Sequence, residues 1–421
     1  MKSFINSEIG KLEGVIVHTP GSEVENMTPE NAERALYSDI LNLSIASEEY
    51  AQLTGVLKKV AHVFEIKEML KDILDNPIAR TRLLHEICSH EGLTSLIDGL
   101  MEEDSEKLAS ELIEGIVLKR NNLTNYLSPE KFMLRPLHNL FFTRDAAMGV
   151  NNNMLVGRMA NRVRERESMI LEAIFNFHND LQTTTINPIK PLKGIPVDEK
   201  ATIEGGDLLI IRDDVFVIGA GMRTSTQGID FILETIKKRN QDTFHLIVQE
   251  LPSHPESFIH LDMVFTCLDL NSCMVYDPVV NSLNRYKTIY IQIDNGKVKI
   301  TEQPNILHAL KKLGIDLKPV YCGGKKDLWI QEREQWHSGA NFFAFEPGKI
   351  IGYERNVHTL EELDKNGFEI IKAVDVINNK VSPDSYSKCV VTIAGSELAR
   401  GGGGARCMTL PFRRSEVKWN Y

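Results

Sequence analysis

Cysteine is scarce in this chain, and its spacing is uninformative for scaffolding. Six cysteines lie among 421 residues and none form a C-x-x-C pair, so neither a zinc ribbon nor a thioredoxin motif is expected. They are too sparse for a disulfide framework. Long apolar runs are missing as well. None reaches the roughly 20 residues that span a bilayer, and the first eight residues, Met1 to Glu8, contain no apolar stretch of the kind a signal peptide needs. Lys/Arg blocks are absent and the formal net charge is −10. That balance excludes the basic stripe a nucleic-acid surface requires and suits a cationic small substrate. Low-complexity segments and flexible linkers are also lacking. These absences lead us to expect a reduced, cytoplasmic enzyme with no nucleic-acid or membrane partner. A homo-oligomer is left open.

What is present reads as an alternating α/β chain. Its length allows two or three domains, or one large domain with an insertion. Gly14–His18, ended by Pro20-Gly21, reads as a buried strand and a turn. Residues 29–60 read as mostly helical and Val60–Ile66 as a second strand. Between residues 67 and 130, apolar residues recur at helical spacing, as in Leu108, Leu112, Ile113 and Ile116. This stretch reads as a helical insertion in a single catalytic domain spanning 1–421. Beyond residue 140, strands are expected at Met154–Gly157, Asp207–Ile211, Val215–Ile218, Met263–Leu268, Cys273–Tyr276, Asn341–Phe345, Ile350–Tyr353 and Cys389–Ile393. Helices are expected at 159–178, 225–239, 303–313, 358–366 and 396–400. Strand pairs followed by a helix suggest a ββα module used more than once.

Several short motifs carry reactive groups. Cys407 follows four glycines in Arg400-Gly401-Gly402-Gly403-Gly404-Ala405-Arg406-Cys407. Such a run can wrap a ligand or aim the next side chain, and the adjacent Arg406 would favour thiolate. A tight turn before a structural thiol fits the same residues. In an extended Phe258–Asp262 segment, His260 and Asp262 would share one face, because the side-chain period is two. Histidine is the usual acid/base near neutral pH, although a half-buried strand with a polar face reads the same way. Glu204-Gly205-Gly206-Asp207 puts a carboxylate where glycines allow close approach, or is simply a turn into a strand. Thr143-Arg144-Asp145 could be an internal salt bridge. Arg223 sits at a strand-to-helix turn. Arg164 lies in a charged helical run that would ordinarily be a solvated face. His85 and His90 resemble a zinc-protease pair, but at i and i+5 they diverge by about 140°.

Taken together and in order, these segments resemble arginine deiminase, of the guanidino-group-modifying superfamily. The resemblance is carried by Ser7–Pro20 with Glu23–Asn26, Asn139–Asp145 (NLFFTRD), Glu204–Asp207 (EGGD), Gly221–Ser225 (GMRTS), His260–Thr266 (HLDMVFT), Arg333–Asn341 (REQWHSGAN), Tyr353–Asn356 (YERN) and Arg400–Pro411 (RGGGGARCMTLP). It spans nearly the whole chain and is weakest over 67–130, where the family carries a helical insertion.

The resemblance implies a fivefold pseudo-symmetric α/β propeller and hydrolysis of L-arginine to L-citrulline and ammonia, with no metal or organic cofactor. It implies Cys407 as nucleophile, His260 as acid and base, Glu204 as its partner, and Asp145 and Asp262 on the guanidinium edges. Asn139, Arg164 and Arg223 would hold the substrate carboxylate. One position departs from the pattern. The family commonly has an arginine five residues before the nucleophile, and here that residue is Gly402. A bulkier guanidino compound could then be admitted. An amidinotransferase, a hydrolase of a substituted arginine, or a non-enzymatic arginine binder are the alternatives on the same scaffold.

Overall fold

In the computed structural model, the described residues are 1–32, 37, 39–190, 195, 198–239 and 243–419. Among them, strands and helices alternate in an α/β arrangement. Five sheets share one unit. An antiparallel strand pair is followed by a helix, and a further strand returns parallel to the second. The first such unit after residue 140 is Ala147–Val150 against Asn153–Val156, then the helix Glu165–Phe177, then Thr184–Ile186. The second is Leu208–Arg212, Val215–Ala220, the helix Thr226–Arg239 and Phe244–Glu250. The third joins Phe265–Asp269 and Ser272–Val275 to Lys318–Tyr321. The fourth joins Phe343–Glu346 and Lys349–Tyr353 to Cys389–Ile393, with Glu369–Lys372 at its edge. The recurrent ββα module expected from the strand spacing is therefore present.

The fifth unit joins the two ends of the chain. Leu12–Val17 pairs antiparallel with Leu410–Arg414 and parallel with His62–Glu65. Pro411 cannot donate to a ladder, and it lies on the strand at the edge of this sheet, where that is tolerated. Every residue of Leu12–Val17 except Glu13 is buried. Val15 and Val17 pack with the cluster that contains Cys407, while Ile16 packs on the opposite side with Leu410 and Phe412. Burying each such aliphatic side chain stabilises the fold by about 1.5–3 kcal/mol. The sheet's position in the core thus holds the glycine-rich loop that ends at Cys407, three residues before Leu410.

Expected helices over 29–60 resolve into Pro29–Ala32 and Leu43–Val60; positions 33–36 and 38 of that stretch lie outside the described residues. The stretch 67–130 holds helices Ile66–Leu74, Pro77–Glu91, Ile97–Glu102, Ser105–Glu114 and Leu123–Leu127. It also contributes the short strand Ile116–Val117, paired with Phe132–Leu134. One hairpin escaped the sequence reading: Thr288–Asp294 and Lys297–Gln303. Its signal was the Asn295-Gly296 turn between alternating runs. Both residues have positive φ, 47° and 75°, as a type I′ turn requires. The segment 396–400, expected as a helix, is a short 3-10 turn over Leu398–Gly401.

Candidate active site

The two strongest motifs meet through a carboxylate and an imidazole. Glu204 precedes a 3-10 turn over Gly205–Asp207, and Glu204 Oε2 lies 2.9 Å from His260 Nε2. Backbone bonds fix both. The Glu204 amide donates to Thr224 Oγ1 at 3.1 Å, and the Leu261 amide donates to Asp207 Oδ1 at 2.9 Å. Gly206 is obligatory here in a steric sense. A Cβ on it would stand 2.6 Å from His260 Cγ, closer than real contacts allow.

His260 and Asp262 reach the site differently from expectation. The segment is not a strand. His260 is extended at the head of a 3-10 turn, Leu261–Met263, with φ −141° and ψ 164°. The strand begins only at Phe265. Both side chains still enter one site, because the tight turn brings Asp262 beside Cys407. Its carboxylate oxygens lie 3.8 and 4.0 Å from Cys407 Sγ.

Cys407 is a buried free thiol. Asn341 grips it from two sides. Its Nδ2 donates to Sγ at 3.2 Å, and its Oδ1 accepts from the Arg406 and Cys407 amides at 2.9 and 3.3 Å. The Cys407 carbonyl accepts from the Arg144 amide at 3.0 Å, and the Gly205 amide donates to the Asp145 carbonyl at 3.0 Å. Four sequence segments are thus stitched around one thiol. Asn341 was part of the family-like REQWHSGAN run but carried no role in the sequence reading. Its signal was only its place at the end of that run.

Arg406 does not act as the sequence suggested. Its guanidinium is buried and engaged: Nη1 to Asp262 Oδ2 at 2.8 Å, Nε to Glu8 Oε2 at 3.0 Å, and Nη2 to the Leu208 carbonyl at 2.8 Å. Its charge is shared with Glu8 and Asp262, and its remaining pull toward the thiolate is outweighed. Burial pushes the Cys407 thiol well above its ordinary value, and Asp262 and Asp145 push it further in the same direction. Glu8 escaped the sequence reading because a carboxylate near the N-terminus has no local mark of a partner about 400 residues away.

The remaining groups form a buried charge ladder. Glu167 pairs with Arg164 at 2.8 Å, and Arg164 Nη1 donates to Asp145 Oδ2 at 2.7 Å. Asp145 Oδ1 stands 3.7 Å from His260 Nδ1 and has no hydrogen-bond partner. Arg223 Nη1 stands 3.7 Å from Glu204 Oε1, and is likewise buried without a hydrogen bond. Burial alone would lower the pKa of His260. Asp145 and the Glu204 hydrogen bond outweigh it and lift His260 to about 9. Burial alone would raise Glu204, but the His260 hydrogen bond and Arg223 bring it to about 2. Burial raises Asp262, with Arg406 opposing. Asp207, part of the EGGD run but given no role from sequence, is pushed by burial up to about 7 against the opposing charge of His260.

Arg164 is buried beneath the site; it is not the solvated helix face its neighbours suggested. It closes a 3-10 turn, Arg162–Arg164, ahead of the helix. Asn139 is buried too, and its carbonyl accepts from Arg164 Nη2 at 3.4 Å. Arg400 is bound by Asp39 at 2.9 Å and Glu397 at 3.0 Å. Gly402 has φ 83°, and a Cβ there would meet nothing within 4 Å. A cavity of about 400 Å³ opens at this loop, lined by Tyr37, Met222, Arg223, Phe258, Trp336 and Gly402 among others.

Among the described residues, the one group close enough to hold a metal is Asp145, Glu204 and His260. Arg164 and Arg223 already supply positive charge to those carboxylates. His85 and His90 are not part of any such group.

Solved structures of similar fold include enzymes that act on guanidino groups. An amidinotransferase from Microseira wollei, SxtG, aligns with a TM-score of 0.56 at 12% identity, covering 99% of each chain. A dimethylarginine dimethylaminohydrolase aligns at 0.51 and 14%, covering 95% of this chain and all of the other. The N-terminal domain of ArgZ, an arginine dihydrolase from cyanobacteria, aligns at 0.52 and 14%, covering 95% and 97%. The arginine deiminase family model matches residues 33–414. The arginine deiminase of Listeria monocytogenes serotype 4b is 31% identical over 431 aligned positions, covering 98% of each chain. The protein is a hydrolase acting on a guanidino C–N bond. The chain belongs to the arginine deiminase family.

Proposed function

We propose that this enzyme hydrolyses L-arginine to L-citrulline and ammonia through a Cys407-linked thiouronium. The carrying observation is that two buried carboxylates, Asp145 and Asp262, flank the Cys407 and His260 pair, and that Asp145 Oδ1 is left without a hydrogen bond. Buried polar atoms are rarely unpaired. A planar guanidinium bound there would satisfy Asp145 and bring positive charge beside the thiol. The substrate thereby supplies the charge that Arg406 cannot, and Cys407 ionises as it binds, losing its proton to solvent.

The thiolate then attacks the central guanidinium carbon and forms a C–S bond. His260, protonated at neutral pH, gives its proton to the departing nitrogen as the C–N bond breaks and ammonia leaves. His260 next takes a proton from water. The water oxygen attacks the thiouronium carbon, the C–S bond breaks as the remaining hydroxyl proton passes to solvent, and citrulline and thiolate are released. Glu204 keeps His260 oriented and charged. Arg223, with its unpartnered Nη1, receives the substrate carboxylate, with Asn139 and Arg164 beneath it.

Around this site we infer one catalytic domain, 1–421, whose five like sheets close into a fivefold pseudo-symmetric propeller, with 67–130 as a helical insertion. The single ββα topology repeated in each sheet supports closure. Six free cysteines support a reducing, cytoplasmic setting. Among the described residues, no helix is long and apolar enough to cross a membrane.

The open space at Gly402 favours one second reading, a hydrolase of a substituted arginine. A panel of arginine, methylated arginines, agmatine and N-acyl arginines, scored for ammonia and citrulline, decides between them. Ornithine, or a new guanidino product when an amine is added, would overturn hydrolysis in favour of transfer.

A further inference from the structure

The cavity at Gly402 offers more room than the guanidinium chemistry uses. The described residues that line it do not include Cys407, His260, Glu204, Asp145 or Asp262. Arg223 joins the two regions. It lines the cavity, and its Nη1 stands 3.7 Å from Glu204 Oε1. A substrate with its guanidinium beside Cys407 and its carboxylate at Arg223 leaves this space of about 400 Å³ to whatever else its α-carbon carries. A substituent on the guanidinium would lie at the catalytic cluster instead.

Part of the lining is apolar and fixed in place. Trp336, Phe258, Ile259 and Met222 contribute to it. Trp336 is 44% exposed and Met222 65%. Single exposed apolar side chains are ordinary, but several lining one concavity beside a few polar groups are the usual make-up of a small-molecule site. Gln335 holds this wall together. It is buried, accepts from Ser257 Oγ at 2.7 Å, and donates to the Ser257 carbonyl at 2.9 Å and the Met263 carbonyl at 3.2 Å. Those bonds tie the end of the helix Leu328–Trp336 to the residues just before Phe258 and Ile259. Phe258 is braced in turn by Tyr276, with ring centroids 5.6 Å apart. At Gly402 no side chain intrudes, and a Cβ there would meet nothing within 4 Å.

The charges of the lining favour a neutral group. Arg223, Arg400 and Glu256 are its charged members. Arg400 is matched by Asp39 and Glu397. Glu256 is exposed, and an ion pair to so exposed a carboxylate is weak. A free α-ammonium therefore gains little here. An acylated α-nitrogen carries no charge and brings apolar surface out of water against Trp336 and Phe258.

We propose that this cavity is a subsite for an apolar acyl group on the α-nitrogen, so that Nα-acyl-L-arginines are better substrates than free L-arginine. The inference rests on the hydrolysis proposed above and names its substrate class. The chemistry is unchanged: a guanidino C–N bond breaks, ammonia leaves, the acyl amide stays intact, and the product is the Nα-acyl-citrulline.

The test is steady-state kinetics of the intact enzyme with L-arginine and with Nα-benzoyl-L-arginine, scored for ammonia and for the ureido product. kcat/KM should be about tenfold higher for the benzoyl compound, the scale of a filled apolar pocket. Trp336→Ala should bring that ratio down to about one. Should that variant fail to fold, Met222→Ser alters an exposed side chain and should lower the ratio several-fold. Hydrolysis of arginine with an equal or smaller kcat/KM for the benzoyl compound would overturn the subsite and leave the hydrolytic reading standing. A ratio unchanged in both variants would overturn it as well. Ureido product from neither compound would overturn the hydrolytic reading and the subsite together.

Discussion

Arg406 and Asp262 form a buried ion pair at 2.8 Å, and this pair, directly beside Cys407, shapes the electrostatics of the site. The arginine next to Cys407 in sequence is claimed by Glu8 and Asp262, and burial together with Asp262 and Asp145 outweighs its pull toward the thiolate. Cys407 thus waits for a cationic partner. Four expected outcomes follow from that arrangement and its supports.

Cys407→Ser should abolish ammonia release while retaining substrate binding. The hydroxyl keeps the shape but is a far weaker nucleophile under these conditions. Mass spectrometry of the wild type quenched during turnover should show an adduct on Cys407. Near-normal turnover in the serine variant would sink the mechanism.

Arg406→Met should destabilise the fold by about 3–5 kcal/mol, because it strands Glu8 and Asp262 as buried unpaired charges. Denaturant unfolding would register this as a lower midpoint with little change in slope. Glu8 is itself held at about 2 by Arg406, against the opposing effect of burial. Replacing Glu8 with Gln should therefore cost less, since one carboxylate remains to meet the arginine.

Asn341→Ala removes the clamp on Sγ and on two amides of the nucleophile loop. A displacement of about 1 Å is enough to reduce kcat by about 100-fold. KM should move much less, because the hydrogen bonds of Asn341 go to Cys407, the Arg406 amide and the 262–263 turn and not to Arg164 or Arg223. Equal loss in both parameters would show that Asn341 acts on binding instead.

Two buried histidines predict the alkaline limb of stability. His260 is lifted to about 9 by Asp145 and Glu204, against burial. His18 is lifted to about 9 by Glu23 and Glu65, again against burial. Both are raised above their unfolded value near 6.5, so their stabilisation is full below pH 6.5 and is lost as pH rises through about 9. Unfolding free energy should decline over that window, and His18→Gln or His260→Gln should each flatten part of the decline. Glu204, depressed to about 2, runs the other way: its contribution is present above about pH 4.5 and lost as pH falls through 2. Catalysis by a protonated His260 should fade on the same alkaline limb, read as kcat against pH.

Much of this site could be read from local residue patterns. Cys407, His260, Glu204, Asp145 and Asp262 lie in short runs whose order matches a known family, and strands such as Cys389–Ile393 are plain apolar stretches. The Asn295-Gly296 hairpin was legible as well, by its turn residues, and was passed over. The helical periodicity over 67–130 carried through at Leu108, Leu112 and Ile113, since local spacing decides which face of a helix is apolar, whereas Ile116 lies past the helix end and pairs as a strand residue with Leu134.

Other features depend on contacts no local pattern encodes. His260-Leu261-Asp262 alternates like a strand, yet the bond from the Leu261 amide to Asp207 draws it into a 3-10 turn. Arg164 reads as a solvated residue, yet Glu167 and Asp145 bury it. Arg406 reads as an activator of its neighbour, yet Glu8, nearly four hundred positions away, and Asp262 claim its charge. A side chain's chemical type is set by the chain alone. Whether its charge is free, paired or stranded depends on which distant groups folding brings within about 4 Å, because electrostatic interaction falls with distance and strengthens as water is excluded.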